Sequence, residues 1–124
     1  MNLSRLGIVM LGVKDLGRSI QFYRDTLGLP LQGSSAEFAF FDGGAVTLCL
    51  RGAPALGAPV DDGRTELVFT VDDIDAAYES LASRGVRFRV TPRIVTGDQL
   101  AADFRDPDGH VLSIFGRRAA AKAP

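Results

Sequence analysis

Residues 13–29 read VKDLGRSIQFYRDTLGL, and residues 71–85 read VDDIDAAYESLASRG. Each stretch has an aspartate, then apolar residues at helical spacing, then a glycine. An aspartate in this place accepts hydrogen bonds from the free N–H groups of a first helical turn, and a glycine can adopt the left-handed conformation that ends a helix. The Val-x-Asp that opens the first stretch recurs as Val71 and Asp73 in the second. The chain therefore contains an internal repeat, and each copy predicts one capped helix.

Strand patterns surround both helices. Short apolar runs rich in β-branched residues and bounded by glycine, proline or aspartate are typical of strands. Such runs lie at 6–13, from 29 onward, at 37–41 and at 46–50 in the first copy, and at 66–71, 87–90, 100–105 and 111–115 in the second. We therefore predict an α+β fold of two tandem βαβββ modules, which form a concave, incomplete-barrel sheet with the helices outside.

Changes in composition mark the boundaries of the modules. The first module is predicted over residues 1–50 and the second over 66–116. Between them, residues 51–65 are rich in glycine and proline and lack apolar periodicity, which is typical of a linker. Residues 117–124 are basic and alanine-rich, and we expect this tail to be disordered.

The composition excludes several classes of function. The formal charge is -1, with 14 basic and 15 acidic residues, so the chain lacks the concentrated basic surface that binds nucleic acid. No apolar run is long enough to span a membrane, and residues 1–5 do not resemble a signal peptide. The single cysteine, Cys49, excludes an internal disulfide, and its apolar surroundings predict a buried small side chain. We expect a cytoplasmic protein that binds neither nucleic acid nor membrane.

Three stretches carry a resemblance to a known family. Residues 13–29 follow the pattern Val-x-Asp-Leu-x-x-Ser-Ile-x-Phe-Tyr-x-x-x-Leu-Gly-Leu, residues 69–74 read FTVDDI, and residues 104–110 read FRDPDGH ahead of the last strand. In this order and spacing they resemble the vicinal oxygen chelate (VOC) superfamily, which includes glyoxalase I, extradiol dioxygenases, and fosfomycin- and bleomycin-resistance proteins. The resemblance implies the two-module fold, but that fold supports many chemistries.

The resemblance also implies where metal ligands would lie. Metal-using members carry them on the first and last strands of each module, at the positions of Ile8, Leu48, Glu66 and Ser113. Isoleucine and leucine have no donor atom, and a serine hydroxyl is a poor ligand. We therefore expect no metal and no cofactor, which argues against a metal-dependent glyoxalase I or extradiol dioxygenase. One alternative stays open: Glu66 could form an unusual oxygen site with Asp103, Asp98 or Gln99.

Strand alternation predicts what would line the concave trough. Residues two apart point to the same side of a strand. The residues two positions before or after the four implied ligand positions should therefore also face inward. At least one of the phenylalanines at 38, 40 and 41 should join them. The candidate ligand-binding residues are Ile8, Met10, Phe40, Leu48, Glu66, Val68, Ser113 and Phe115. This mostly apolar lining favours an aromatic or otherwise apolar ligand held by one or two polar contacts.

Glu66 is the candidate catalytic residue. A carboxylate enclosed by apolar side chains would be desolvated, which would raise its pKa and suit a general acid or base, or an anchor for a cationic ligand. An ion pair with Arg89, Arg93 or Arg105 is the structural alternative. Those arginines could instead hold an anionic ligand, although a solvated surface position is expected for most of them.

Three functions follow from these patterns. The first is metal-independent binding or sequestration of an apolar or aromatic small molecule, as in bleomycin-resistance-like proteins. The second is a metal-independent isomerase or lyase that uses Glu66 as acid or base, and the third is a non-catalytic interaction domain. We also expect a homodimer, because two such small modules leave apolar strand edges and faces that a second chain can cover. The identity of the ligand and the pairing of modules within or between chains stay open.

Overall fold

The computed structural model describes residues 6–52 and 66–119. The chain divides into two compact units, Met1–Val60 and Asp61–Pro124. Within the described residues, each unit has one helical segment and one four-stranded sheet in the order β-α-β-β-β. The predicted α+β fold and its internal repeat are confirmed.

Unit 1 begins with the strand that precedes the first predicted helix. Its elements are β1 (Ile8–Val13), α1 (Leu16–Gln21), a π-helical turn (Phe22–Thr26), β2 (Leu31–Ser34), β3 (Phe38–Asp42) and β4 (Thr47–Gly52). The sheet order is β1-β4-β3-β2, with β1 parallel to β4 and the other neighbours antiparallel. The Asp15 carboxylate accepts a hydrogen bond from the Arg18 N–H at 3.1 Å, and Gly28 has φ +81° after the helical segment. Both predicted ends of the first helix are present.

Unit 2 repeats this plan. Its elements are β5 (Glu66–Val71), α2 (Ile74–Ser83), β6 (Phe88–Thr96), β7 (Gln99–Arg105) and β8 (Val111–Gly116). The sheet order is β5-β8-β7-β6, with β5 parallel to β8. The Asp73 carboxylate accepts from the N–H groups of Asp75 and Ala76 at 3.1 and 3.2 Å. The second predicted helix therefore has the same kind of cap as the first.

Strand β6 is the largest departure from the predicted elements. It was expected over 87–90, but it extends from Phe88 to Thr96 and includes Pro92. Its pairing with β7 shifts register three times along its length. Because β6 lies at the edge of the sheet, a proline there interrupts fewer backbone hydrogen bonds than it would in a central strand.

Each helix packs on one face of its own sheet, and the core of each unit lies there. In unit 1 the fully buried Tyr23 contacts Phe41, with ring centroids 6.0 Å apart. In unit 2 the ring of Phe88 contacts Tyr78 on one side and Phe104 on the other, at 4.6 and 5.3 Å. This side of each sheet is its helix face, and the opposite side is its open face.

The predicted linker and tail fall only partly within the described residues. Strand β4 continues through Gly52, so the first two residues of the predicted linker are paired strand; the rest lies outside the described ranges. At the start of the predicted tail, the Arg117 carbonyl accepts from the Ile74 N–H at 2.9 Å. Arg118 donates to the Asp75 carboxylate at 2.9 Å. These two residues are therefore attached to the start of α2, while residues 120–124 are outside the described part.

In the part of the chain that the structure describes, no helix is long and apolar enough to cross a membrane.

Candidate functional site

The open face of unit 1 carries apolar side chains that are exposed. Residues paired across neighbouring strands point to the same side of a sheet, and the register joins Met10, Cys49 and Phe40 into one row. Ile8 lies on the same side, two residues before Met10. Ile8 is 54% exposed, Met10 51% and Phe40 37%. Phe38 stacks beside Phe40 with centroids 6.3 Å apart, so two of the three candidate phenylalanines lie on this face.

Leu48 does not share the open face with Ile8, and that expectation was wrong. The register pairs Ile8 with Thr47, whereas Leu48 pairs with Val9 and Phe41. Because Phe41 contacts Tyr23, Leu48 belongs to the helix face, where it is buried. The run at 46–50 is almost wholly apolar, so it contains no alternation that marks its faces, and a shift of one residue reverses every side chain.

Cys49 is the unit 1 counterpart of Ser113. The repeat relates Met10 to Val68, and the registers pair Met10 with Cys49 and Val68 with Ser113. Cys49 is fully buried, and its Sγ lies 3.7 Å from the Leu50 carbonyl oxygen. Desolvation by this burial raises the pKa of the Cys49 thiol above its ordinary value.

The open face of unit 2 includes four of the predicted site residues. Alternation and register place Glu66, Val68, Ser113 and Phe115 on this side. Val68 is 52% exposed, Phe115 is half-buried, and Ser113 is buried. An open depression of about 370 Å³ lies at the end of this face, and Thr70, Gln99 and Phe115 are among its lining residues. Whether the predicted residues contact a ligand stays a prediction.

Glu66 has a different environment from the one expected. Its side chain is exposed at the start of β5, so the apolar enclosure on which its candidate catalytic role depended is absent. Among the described residues it forms no ion pair with Arg89, Arg93 or Arg105. The reason is its strand: β5 is an edge of the sheet of unit 2, and fewer neighbours cover a side chain there.

The charged side chains of this face that have buried atoms lie on β7 instead. Asp103 and Arg105 are two residues apart, and Asp103 is the register partner of Ser113. Asp103 Oδ1 and Arg105 Nη1 are buried atoms without a hydrogen-bond partner. The sequence indicated Asp103 only as a possible partner of Glu66, and Arg105 as a partner of Glu66 or a residue that could hold an anionic ligand. The signal available in the sequence was the pattern at residues 100–105. There Leu100, Ala102 and Phe104 alternate with Ala101, Asp103 and Arg105.

The residues present do not fit the metal site that the VOC resemblance implies. With Cys49 in place of Leu48, the four corresponding positions hold an isoleucine, a buried cysteine, an exposed glutamate and a serine. Isoleucine has no donor atom, and a serine hydroxyl is a poor ligand. Within the described residues, no group of three or more His, Cys, Asp or Glu side chains could hold a metal ion.

Comparison with known proteins agrees with the fold and with the motifs. The family model described as the Glyoxalase/Bleomycin resistance protein/Dioxygenase superfamily matches residues 5–114. The metallothiol transferase FosB of Lysinibacillus sphaericus is 28% identical over 115 residues, which cover 89% of this chain and 80% of that protein.

Solved structures show the same similarity. The crystal structure of a glyoxalase/bleomycin resistance protein/dioxygenase from Nocardioides has a TM-score of 0.79 at 27% identity, covering 100% of this chain and 90% of that chain. TnmS3, an antibiotic binding protein from Streptomyces sp. CB03234, has a TM-score of 0.75 at 26% identity, covering 94% of this chain and 98% of that chain.

Proposed function

Because the chain belongs to the glyoxalase/bleomycin resistance protein/dioxygenase superfamily, we propose that it binds an apolar or aromatic small molecule on its open sheet faces without a metal ion. The observation that carries this proposal is the exposure of large apolar side chains on those faces. Ile8, Met10 and Val68 are each more than half exposed. Exposed apolar groups that share a sheet face mark a binding surface, since covering them is favourable.

The donor set supports the metal-independent form of the proposal. FosB is named a metallothiol transferase, but in this chain Ile8 provides no donor atom and Ser113 provides only a hydroxyl, which is a poor ligand. TnmS3 is named an antibiotic binding protein, and binding of a small molecule can be achieved by an apolar surface with a few polar groups. We therefore favour binding over metal-dependent group transfer.

The alternative of acid–base catalysis by Glu66 has no specific observation in its favour, because that side chain is exposed. An interaction domain without a small ligand is the other alternative, and the following experiment distinguishes it.

The test is a titration of the full chain with 2-naphthol, followed by amide NMR shifts and by calorimetry. We expect saturable shifts at Met10 and Val68. Val68→Ser should weaken binding by about tenfold, since it removes roughly 1.5 kcal/mol of apolar burial. Ile94→Ser is the matched control: Ile94 is 66% exposed, but it pairs with Leu100 on the helix-face side of β7.

Absence of saturable shifts at the solubility limit of 2-naphthol would contradict small-molecule binding. Equal weakening by the Val68 and Ile94 variants would contradict the assignment of binding to the open face.

A further inference from the structure

Strand β7 carries two buried polar atoms that the fold itself does not use. Asp103 Oδ1 can accept a hydrogen bond and Arg105 Nη1 can donate one, yet neither atom has a hydrogen-bond partner. They are therefore also not bonded to each other. Almost all buried polar atoms in folded proteins are hydrogen-bonded, because leaving one unpaired destabilises the fold. Two such atoms on one strand call for a physical explanation.

The core does not require these polar side chains. The residues that alternate with them, Leu100, Ala102 and Phe104, point to the helix face and are buried. Asp103 and Arg105 therefore point to the open face, beside Ser113 in the adjacent strand. Apolar residues at both positions would bury no unpaired atom. Side chains that lower the stability of the fold and point to a binding surface are typical of a functional site.

A metal ion is a poor explanation for the Asp103 carboxyl group. The Arg105 guanidinium lies only two residues away on the same side of the strand, and its positive charge repels a cation bound at Asp103. The described residues also provide no cluster of three metal-binding side chains. An organic ligand with its own donor and acceptor satisfies both atoms without this repulsion.

On the basis of the proposed function, we propose that Asp103 and Arg105 form a polar recognition pair that selects aromatic ligands with an N–H donor at one end and a carboxylate or carbonyl acceptor at the other. The donor binds the Asp103 carboxylate and the acceptor binds the Arg105 guanidinium; both side chains are partly exposed, and a rotation of each brings its enclosed atom, Oδ1 or Nη1, to the ligand. Residues two apart on a strand are separated by about 6.6 Å, which is comparable to the spacing between para substituents on a six-membered ring. The ring lies against Val111, which pairs with Arg105, and Val68, which pairs with Ser113 beside Asp103.

Three aromatic probes separate the two contacts. 4-(Aminomethyl)benzoate has the donor and the acceptor, benzylamine has only the donor, and benzoate has only the acceptor. With the full-length chain, we expect the first probe to bind at least about tenfold more tightly than either of the others, since each hydrogen bond to a charged group contributes about that factor.

Near-isosteric variants assign each contact to its residue. Asp103→Asn should weaken 4-(aminomethyl)benzoate and benzylamine by about tenfold and leave benzoate unchanged. Arg105→Gln should weaken 4-(aminomethyl)benzoate and benzoate and leave benzylamine unchanged. Glu79→Gln on α2 and Arg18→Gln on α1 make the same chemical changes at exposed helix positions, and they should leave all three affinities unaltered. Partial unfolding would weaken every probe together, so these opposite responses to the single-function probes distinguish recognition from a structural role.

The recognition pair would be overturned if the three probes bound with equal affinity. It would also be overturned if Asp103→Asn and Arg105→Gln affected benzylamine and benzoate alike. If 2-naphthol still binds the open face in that case, the proposed function stands and only the pair is wrong. If neither 2-naphthol nor any of the three probes binds, both proposals are wrong.

Discussion

At the scale of single residues, exposure on the open faces follows the position of the strand in its sheet. Glu66 and Val68 lie on β5, and Ile8 and Met10 lie on β1; these strands are sheet edges, and all four side chains are exposed. Cys49 lies on the interior strand β4 and is fully buried. An interior strand has neighbours on both sides that cover its side chains. Burial of a polar group on these faces therefore requires an interior strand, such as β7.

Replacement of Asp103 by valine should stabilise the protein while it removes ligand recognition. The change eliminates a buried carboxyl oxygen without a partner, and we expect the free energy of unfolding to rise by roughly 1–3 kcal/mol. Urea denaturation provides the measurement. Glu66→Val is the matched control, because it removes an exposed carboxylate from the same face and should change stability by less than about 0.5 kcal/mol. A destabilised Asp103→Val protein would contradict this reasoning.

The Cys49 thiol should react slowly and should make stability depend on alkaline pH. Burial raises the pKa of Cys49 in the folded state, so the folded protein holds this proton more tightly than the unfolded chain. Its contribution to stability is complete below the ordinary thiol pKa and is lost as the pH rises through the raised folded value. Alkylation by iodoacetamide at neutral pH should be much slower in native than in urea-unfolded protein. Equal rates would show that the thiol is accessible. Cys49→Ser, measured in parallel, should abolish alkylation.

At the scale of elements, β5 and β8 approach each other too closely for a side chain at Gly116. A Cβ atom built on Gly116 would collide with the Val71 carbonyl oxygen, which is backbone and cannot move aside. Gly116→Ala should therefore lower the free energy of unfolding by about 1–3 kcal/mol, measured by urea denaturation. Gly33→Ala on β2 is the control, because nothing lies within 4 Å of its Cβ position, and it should cost little. If the two variants are equally stable, the backbones of β5 and β8 can move apart to accommodate the added methyl group.

The two helices show how much an element depends on its immediate sequence. Asp15 and Asp73 cap their helices as the repeat predicts, since a cap needs only the side chain and the N–H groups of the next turn. The extent of β6 depends instead on its pairing with β7 in a hairpin, and that pairing shifts register three times. Pro92 interrupts the strand pattern, so residues 91–96 were not predicted as strand.

At the scale of the whole molecule, the homodimer stays a prediction. Ile94 and Val95 on edge strand β6 are 66% and 44% exposed, in addition to the apolar residues of the open faces. A second copy that covers such residues would gain the free energy of apolar burial. Light scattering after size exclusion should give twice the monomer mass of 13.2 kDa at micromolar concentration. A monomer mass at that concentration would contradict the prediction. The Ile94→Ser variant then tests whether β6 is part of the dimer interface. If it is, the dimer of the variant should dissociate at a higher protein concentration than the unsubstituted dimer.

The amino-acid sequence alone determined the two βαβββ repeats, the helix caps and the family motifs, because each depends on residues that are close along the chain. It also placed Ile8, Met10, Phe40, Val68 and Ser113 on the faces that the structure gives them. Tertiary structure decided the rest. The face of Leu48, the exposure of Glu66 and the buried atoms of Asp103 and Arg105 depend on strand order and register, which are set by contacts between distant residues. A uniformly apolar strand such as 46–50 fits either face by itself, and only its pairing with β1 and β3 selects one.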